Sequence, residues 1–146
     1  MDSALRLARA AGRRGEVPVG AVVVTGGRVF GRGANRPIGA CDPTAHAEIV
    51  ALRRAGRAAR NHRLAGATLY VTLEPCLMCL GAMVHARIER LVFGARDPKV
   101  GATSFLKRAG RGLNHRFRVR GGVRAAESTA LLLGFFRERR RRQGTV

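Results

Sequence analysis

The chain has no tryptophan, one tyrosine, three cysteines and only two lysines, Lys99 and Lys107, among 146 residues. Three cysteines cannot supply a disulfide framework, which suits a reducing cytoplasm. Long apolar runs are missing too. Asp2, Arg6, Arg9, Arg13 and Arg14 break up the N-terminus, which excludes an uninterrupted signal region, and Ala21 to Val24 is far too short to span a bilayer. The expectation is a soluble, cytoplasmic protein with no membrane partner. Acid is also scarce: nine Asp and Glu stand against 28 Lys and Arg, a formal net charge of +19. GC-rich codon usage accounts for arginine over lysine but not for basic over acidic residues. Such an excess, on a chain that is 46% hydrophobic, points to a polyanionic partner such as nucleic acid. The length fits one domain, residues 1–146, able to bury roughly 70% of its unfolded surface.

Against this background two short motifs stand out. Thr44-Ala45-His46-Ala47-Glu48 is followed some thirty positions later by Pro75-Cys76-Leu77-Met78-Cys79. His46, Cys76 and Cys79 supply three zinc ligands, and a catalytic zinc takes three protein ligands and leaves its fourth position open. Glu48, two residues past the histidine, is an acid free to act over that open position. Pro75 suits the first position of a helix, placing Cys76 and Cys79 in its first turn on a shared face. Asp42-Pro43-Thr44 offers a capping side chain and another early-helix proline, so a second helix is expected to start at His46. Two positive helix ends converging on the metal favour thiolate over thiol. A Cys-x-x-Cys alone would equally suit a redox pair or half of a zinc ribbon, and Cys41 is a conceivable fourth ligand of a structural zinc. The combination with His-x-Glu favours the catalytic reading, with Cys41 an ordinary small residue.

The pattern of apolar residues gives the organisation. Leu5, Ala8 and Ala11 suggest a first helix, ended by Gly12 and Gly15. Val19 to Thr25 and Arg28 to Gly33 read as strands joined by a Gly26-Gly27 turn. A helix from about Ala45 to Arg60 follows, then a strand Thr68 to Thr72, the cysteine helix to about Arg87, and a strand Arg90 to Ala95. Arg96 to Asn114 reads as an irregular basic segment, Phe117 to Arg120 as a fifth strand, and about Ala125 to Arg141 as a basic final helix. Alternation of strand and helix predicts an α/β fold, a three-layer α/β/α sandwich on a five-stranded mixed sheet, with much of the sheet parallel. The metal then lies at the carboxyl edge of the sheet, where two strand-to-helix turns meet.

His-x-Glu with Pro-Cys-x-x-Cys is the known signature of zinc nucleobase deaminases. Glu16-Val17-Pro18-Val19-Gly20-Ala21, Asn35-Arg36-Pro37-Ile38-Gly39, Asp42 to Glu48, and Leu73-Glu74-Pro75-Cys76-Leu77-Met78-Cys79 together resemble the bacterial tRNA adenosine deaminases of the cytidine deaminase superfamily. Phe93-Gly94-Ala95-Arg96-Asp97, Leu113-Asn114-His115-Arg116 and Phe135-Phe136 extend the likeness over nearly the whole chain. Two departures are visible. The chain starts at Met1-Asp2-Ser3, without the longer aromatic-bearing first helix usual in that family, and the loop after Asp97 is shorter and lacks a Gly-Ser pair.

The resemblance implies a cytidine-deaminase-like fold, one Zn2+ per subunit, a homodimer, and conversion of the wobble adenosine of an arginine tRNA anticodon (ACG) to inosine. It implies that Glu48 moves the protons, that Asn35 hydrogen-bonds the bound nucleoside, and that Asp97 and Asn114 meet neighbouring nucleotides. The backbone N–H groups of Ala47 and Cys76, at the two helix starts, are candidate contacts to the base or to developing charge. Phe135 and Phe136 read first as a packing stripe with Leu131 to Leu133, and by resemblance as stacking platforms for an anticodon base. Arg139, within the run Arg137 to Arg142, is a candidate phosphate contact. His62, His85 and His115 have no partner motif and are expected at the surface or at helix ends. Rival readings are a deaminase of free cytidine, cytosine or guanine, a deaminase of single-stranded DNA, and a zinc-stabilised RNA-binding protein without catalysis. The positive charge speaks against the first, and Glu48 against the last.

Overall fold

The computed structural model describes residues 1–109 and 112–144. A five-stranded sheet has the order β2-β1-β3-β4-β5. Its strands are β1 (Gly20–Thr25), β2 (Arg28–Ala34), β3 (Thr68–Leu73), β4 (Arg90–Ala95) and β5 (Arg118–Arg120). β1 is antiparallel to both β2 and β3, whereas β3, β4 and β5 run parallel. The β1–β2 turn follows from two glycines: Gly26 and Gly27 both have positive φ, 54° and 76°, which only glycine adopts at no cost, and Thr25 pairs with Arg28 across them.

Two layers of helix sandwich this sheet. Helix α1 (Asp2–Arg13) buries Ala4, Leu5, Ala8 and Ala11, positions spaced to form one face. It lies so close to β1 that a Cβ on Gly20 would sit 2.1 Å from the Ala4 carbonyl. Helix α6 (Ala125–Gln143) shares that side, with Ser128 against Gly94 of β4 and the Arg124 guanidinium paired to Asp2. On the opposite side α3 (Ala47–Ala59) rests on Gly31 and Gly33 of β2, and α4 (Leu77–Ala86) packs beside α3. The main core lies on this side: Ala21, Val23, Leu69, Val71, Leu91 and Phe93 from the sheet meet Ile49, Leu52, Leu80 and Met83. Full burial of side chains of this size contributes about 1.5–3 kcal/mol each.

Two short helices were not evident from the pattern of residues. Pro37–Ala40 forms α2, closed by Cys41 in the left-handed region at φ 49°. Thr103–Arg108 forms α5 inside the segment expected to be irregular, and Gly110 and Arg111 of that segment lie outside the described residues. The final helix carries a further correction. Phe135 is only half-buried and Phe136 is 40% exposed, so the pair is not core; the rings meet edge to face, 5.4 Å between centroids. Helix α6 carries its arginines only in its last turns, from Arg137 on, and buries only Ser128, because it rests on the sheet and on α1 along one side and meets solvent on the others. Among the described residues no helix is long and apolar enough to cross a membrane.

Candidate active site

β2 and β3 both run opposite to β1, so their carboxyl ends emerge at one edge of the sheet. From that edge the chain turns into α3 and α4, and the candidate ligands sit where those helices begin. His46 is the residue capping α3 (φ −66°, ψ 152°) and Cys76 the residue capping α4 (φ −75°, ψ 171°). Both therefore stand one step outside the first helical turn, and this corrects the proline argument. Pro75 precedes the cap instead of opening the helix. Asp42 does not cap α3 either; its Oδ1 accepts from the Thr44 N–H (2.8 Å) and hydroxyl (2.7 Å), closing a tight turn ahead of the helix. At both caps the side chain makes no capping hydrogen bond to its own helix, where a serine or aspartate would normally make one.

Those side chains face one another instead. His46 Nδ1 lies 3.7 Å from Cys76 Sγ and 3.6 Å from Cys79 Sγ, and the two sulfurs are 3.7 Å apart. A tetrahedral zinc, with bonds of about 2.3 Å to sulfur and 2.0–2.1 Å to nitrogen, requires edges of about 3.8 Å and 3.6 Å. The triangle thus has the dimensions and donor chemistry of a three-ligand zinc site, and no other group of His, Cys, Asp and Glu with these properties occurs among the described residues. Cys41 is exposed and its Sγ lies 3.7 Å from the Ile38 carbonyl, outside this cluster.

The electrostatics agree. Cys76 is held down to about 4 by hydrogen bonding with Cys79 and His46, while the same contact and burial push the Cys79 thiol up. Two sulfurs and an imidazole this close hold one thiolate readily and two only against a dication. Glu48, in the first turn of α3, is 4% exposed. Burial pushes its carboxyl up to about 6, against the opposing pull of its own backbone amide and of His46.

Asn35, just past the end of β2, is buried, and its Oδ1 accepts the Ala47 N–H at 2.8 Å. Two candidate substrate contacts therefore bond each other, which fixes the Asn35 amide at the mouth of α3. Asp97 follows β4, half-buried; its Oδ1 accepts from the backbone of Lys99 (2.9 Å) and Val100 (3.2 Å). Asn114 is exposed, and its carbonyl accepts from Arg87 at 2.6 Å. His62 and His85 are exposed, as expected. His115 is not: half-buried, it places Nε2 2.7 Å from the Ile88 carbonyl, to which it can only donate.

Phe135 and Arg139 line a groove with Gly12, Arg13 and Gly15 at the carboxyl end of α1. That end feeds into β1, whose start lies at the edge of the sheet that carries the candidate ligands.

Two residues with no assigned role turn out to frame the site. Glu16, 3% exposed, accepts the Gly39 N–H (2.7 Å) on Oε1 and the Ile38 N–H (3.3 Å) on Oε2, tying α2 down. Glu74, 7% exposed, accepts the Asp97 N–H (3.2 Å) on one oxygen, and the Thr103 N–H (3.2 Å) and hydroxyl on the other. It thereby anchors the Asp97 loop next to Cys76. A signal existed in the sequence: acids are only nine, and these two stand next to a proline or one residue from it, with apolar residues following.

Comparison with known proteins closes the question of kinship. The MafB19-like deaminase family profile matches residues 1–140. The chain is 50% identical over 143 residues to the tRNA-specific adenosine deaminase of Haemophilus influenzae, covering 96% of this chain and 83% of that one. It is 49% identical over 142 residues to the Agrobacterium fabrum tRNA-specific adenosine deaminase, covering 96% and 93%. The chain belongs to the tRNA-specific adenosine deaminases. A solved structure from studies of A-to-I editing by tRNA:A34 deaminases superposes with a TM-score of 0.87 at 48% identity, over 90% of this chain and 97% of the other. Membership of this deaminase family makes the chain an enzyme of hydrolytic deamination, and the cytidine-deaminase-like α/β/α sandwich is the family's fold.

Proposed function

We propose that the chain converts adenosine to inosine at the wobble position of the tRNA-Arg(ACG) anticodon, using zinc held by His46, Cys76 and Cys79. The observation that carries this reading is the three-ligand triangle with a buried, unligated Glu48 beside it. When bound, the ion lowers the pKa of water from 15.7 to about 7 and so makes hydroxide available at neutral pH. Glu48 then does the proton work. Its carboxylate takes the proton released from water and delivers it to N1 of adenine as C6 is attacked. It later carries a proton to the departing amine, so that adenosine and water become inosine and ammonia. Burial of Glu48 favours its protonated form and so suits it to giving back the proton it takes. Asn35 orients the nucleoside from the α3 mouth. Asp97 and Asn114 meet flanking nucleotides, and Phe135, Phe136 and Arg139 receive the anticodon loop. The one-domain chain acts in the cytoplasm as a homodimer. The groove between α3 and α4, lined by Ile49, Leu52, Met78 and Ala82, supports pairing of two copies there, since Met78 and its neighbour Leu77 are apolar yet 38% and 55% exposed.

The test incubates purified, zinc-loaded protein with an arginine tRNA bearing ACG, alongside free adenosine and cytidine, and sequences for inosine. Inosine confined to the wobble position is the expected result. Ammonia from a free nucleoside, with unedited tRNA, would move the chain to small substrates. Glu48→Ala should lose at least ~10²–10⁴-fold in turnover with zinc content unchanged; retained turnover would remove Glu48 from the mechanism.

A further inference from the structure

A second basic groove lies on the other side of the α1 end from Phe135 and Arg139. It has a volume of about 580 Å³, and its walls include Arg14 at the end of α1, Arg36 after β2 and Arg54 on α3. Leu7, Ala10 and Val50 form its apolar floor. All three guanidiniums are exposed. Arg54 is pinned by donating one nitrogen to the Arg32 carbonyl at 2.9 Å, while Arg14 and Arg36 have no ion-pair or side-chain hydrogen-bond partner among the described residues. One carboxylate reaches the groove, that of Glu16, and both its oxygens are taken by the N–H groups of Gly39 and Ile38. Three cations from three separate elements thus converge with no acid free to pair with them. Self-repulsion of this kind is relieved when anionic oxygens enter, and a guanidinium fork matches a phosphate in geometry.

Position names the anion. Arg36 directly follows Asn35, whose side chain is fixed at the start of α3 two residues' reach from His46. A polynucleotide with one base at the metal therefore has backbone phosphates passing Arg36. We propose that Arg14, Arg36 and Arg54 form a phosphate-binding groove for the single-stranded RNA flanking the reacting nucleotide, separate from the arginines of α6. This rests on the reading that the substrate is a tRNA loop. The α1 end then stands between two cationic grooves, and the RNA backbone is gripped on both sides of it.

Fluorescence anisotropy of a labelled hairpin carrying the ACG anticodon loop, from about 50 to about 200 mM salt, tests the groove. Three single-stranded phosphate contacts, at about 0.7 each, should make the salt slope of the Arg14→Gln/Arg36→Gln/Arg54→Gln protein shallower by about 2. The corresponding Arg→Lys protein should keep most of the slope. A triple Gln protein with a native circular dichroism spectrum and an unchanged slope would overturn the proposal. Should the triple variant fail to fold, Arg14→Gln/Arg54→Gln should still lower the slope by about 1.4, and no change there overturns it equally. Inosine formation by the wild-type protein in the same hairpin is scored separately. Its absence counts against the deaminase reading, whereas the salt slope reports on the groove alone.

Discussion

A carboxyl buried away from water is costly to ionise, and Glu48 shows that cost. In the metal-free protein its ionisation moves from 4.5 up to about 6. The folded state keeps a proton that the unfolded chain has already released between those values. This group therefore contributes less to stability as pH rises through that window, and the loss is complete above it. The full change is roughly 2 kcal/mol. Glu48→Gln removes the dependence, so the wild-type minus variant difference in unfolding free energy, measured with denaturant on metal-free protein, should fall by about that amount between pH 4.5 and 7. A flat difference would show that the carboxyl is solvated. At this scale the sequence was most legible: His46, Glu48, Cys76 and Cys79 are brought together as their spacing required. Glu16 and Glu74 were not, because a buried carboxylate is recognised by the backbone N–H groups it accepts from, and those come from the short helices α2 and α5 and the Asp97 loop, 22 to 29 residues away in sequence.

At the scale of elements, the strands were easiest to place. Arg90–Ala95 is bounded by turn residues and apolar within, and the double glycine fixes the β1–β2 hairpin. Helix starts were displaced because proline fits equally well just before a cap and just after it; here His46 and Cys76 occupy the caps, and Pro75 precedes the cap of α4. Helix α5 stayed hidden because six residues carry too little periodicity. Helix α3 owes its place to two missing side chains on β2. A Cβ on Gly33 would meet the Ala47 carbonyl at 2.0 Å and the Ala51 nitrogen at 2.6 Å, both backbone atoms of the first turns of α3. Gly33→Ala should then destabilise the fold by about 1–3 kcal/mol or more, read by thermal or denaturant unfolding, and should also weaken metal retention by shifting His46. A protein of wild-type stability would show that α3 can slide without cost.

Across the whole molecule, charge is the property that composition announced and the fold distributes. Arg139 to Arg142 lie in the last turns of α6, where Arg139 and Arg142 line the groove with the α1 end, at the edge of the sheet that carries the candidate ligands. Alanines at those four positions should weaken RNA binding and flatten its salt dependence, measured as the slope of log affinity against log salt. An unchanged slope would leave them as solubilising charge. The strand order β2-β1-β3 has a separate consequence, for how the protein is made. His46 hangs from β2 and the cysteines from β3, and these strands are not neighbours: β1 lies between them and pairs with both. The ligands can meet only after the centre of the sheet has assembled. Were a zinc ion held by His46, Cys76 and Cys79 as proposed, it would enter a site already shaped by the apolar core, and the chain would fold before it is loaded.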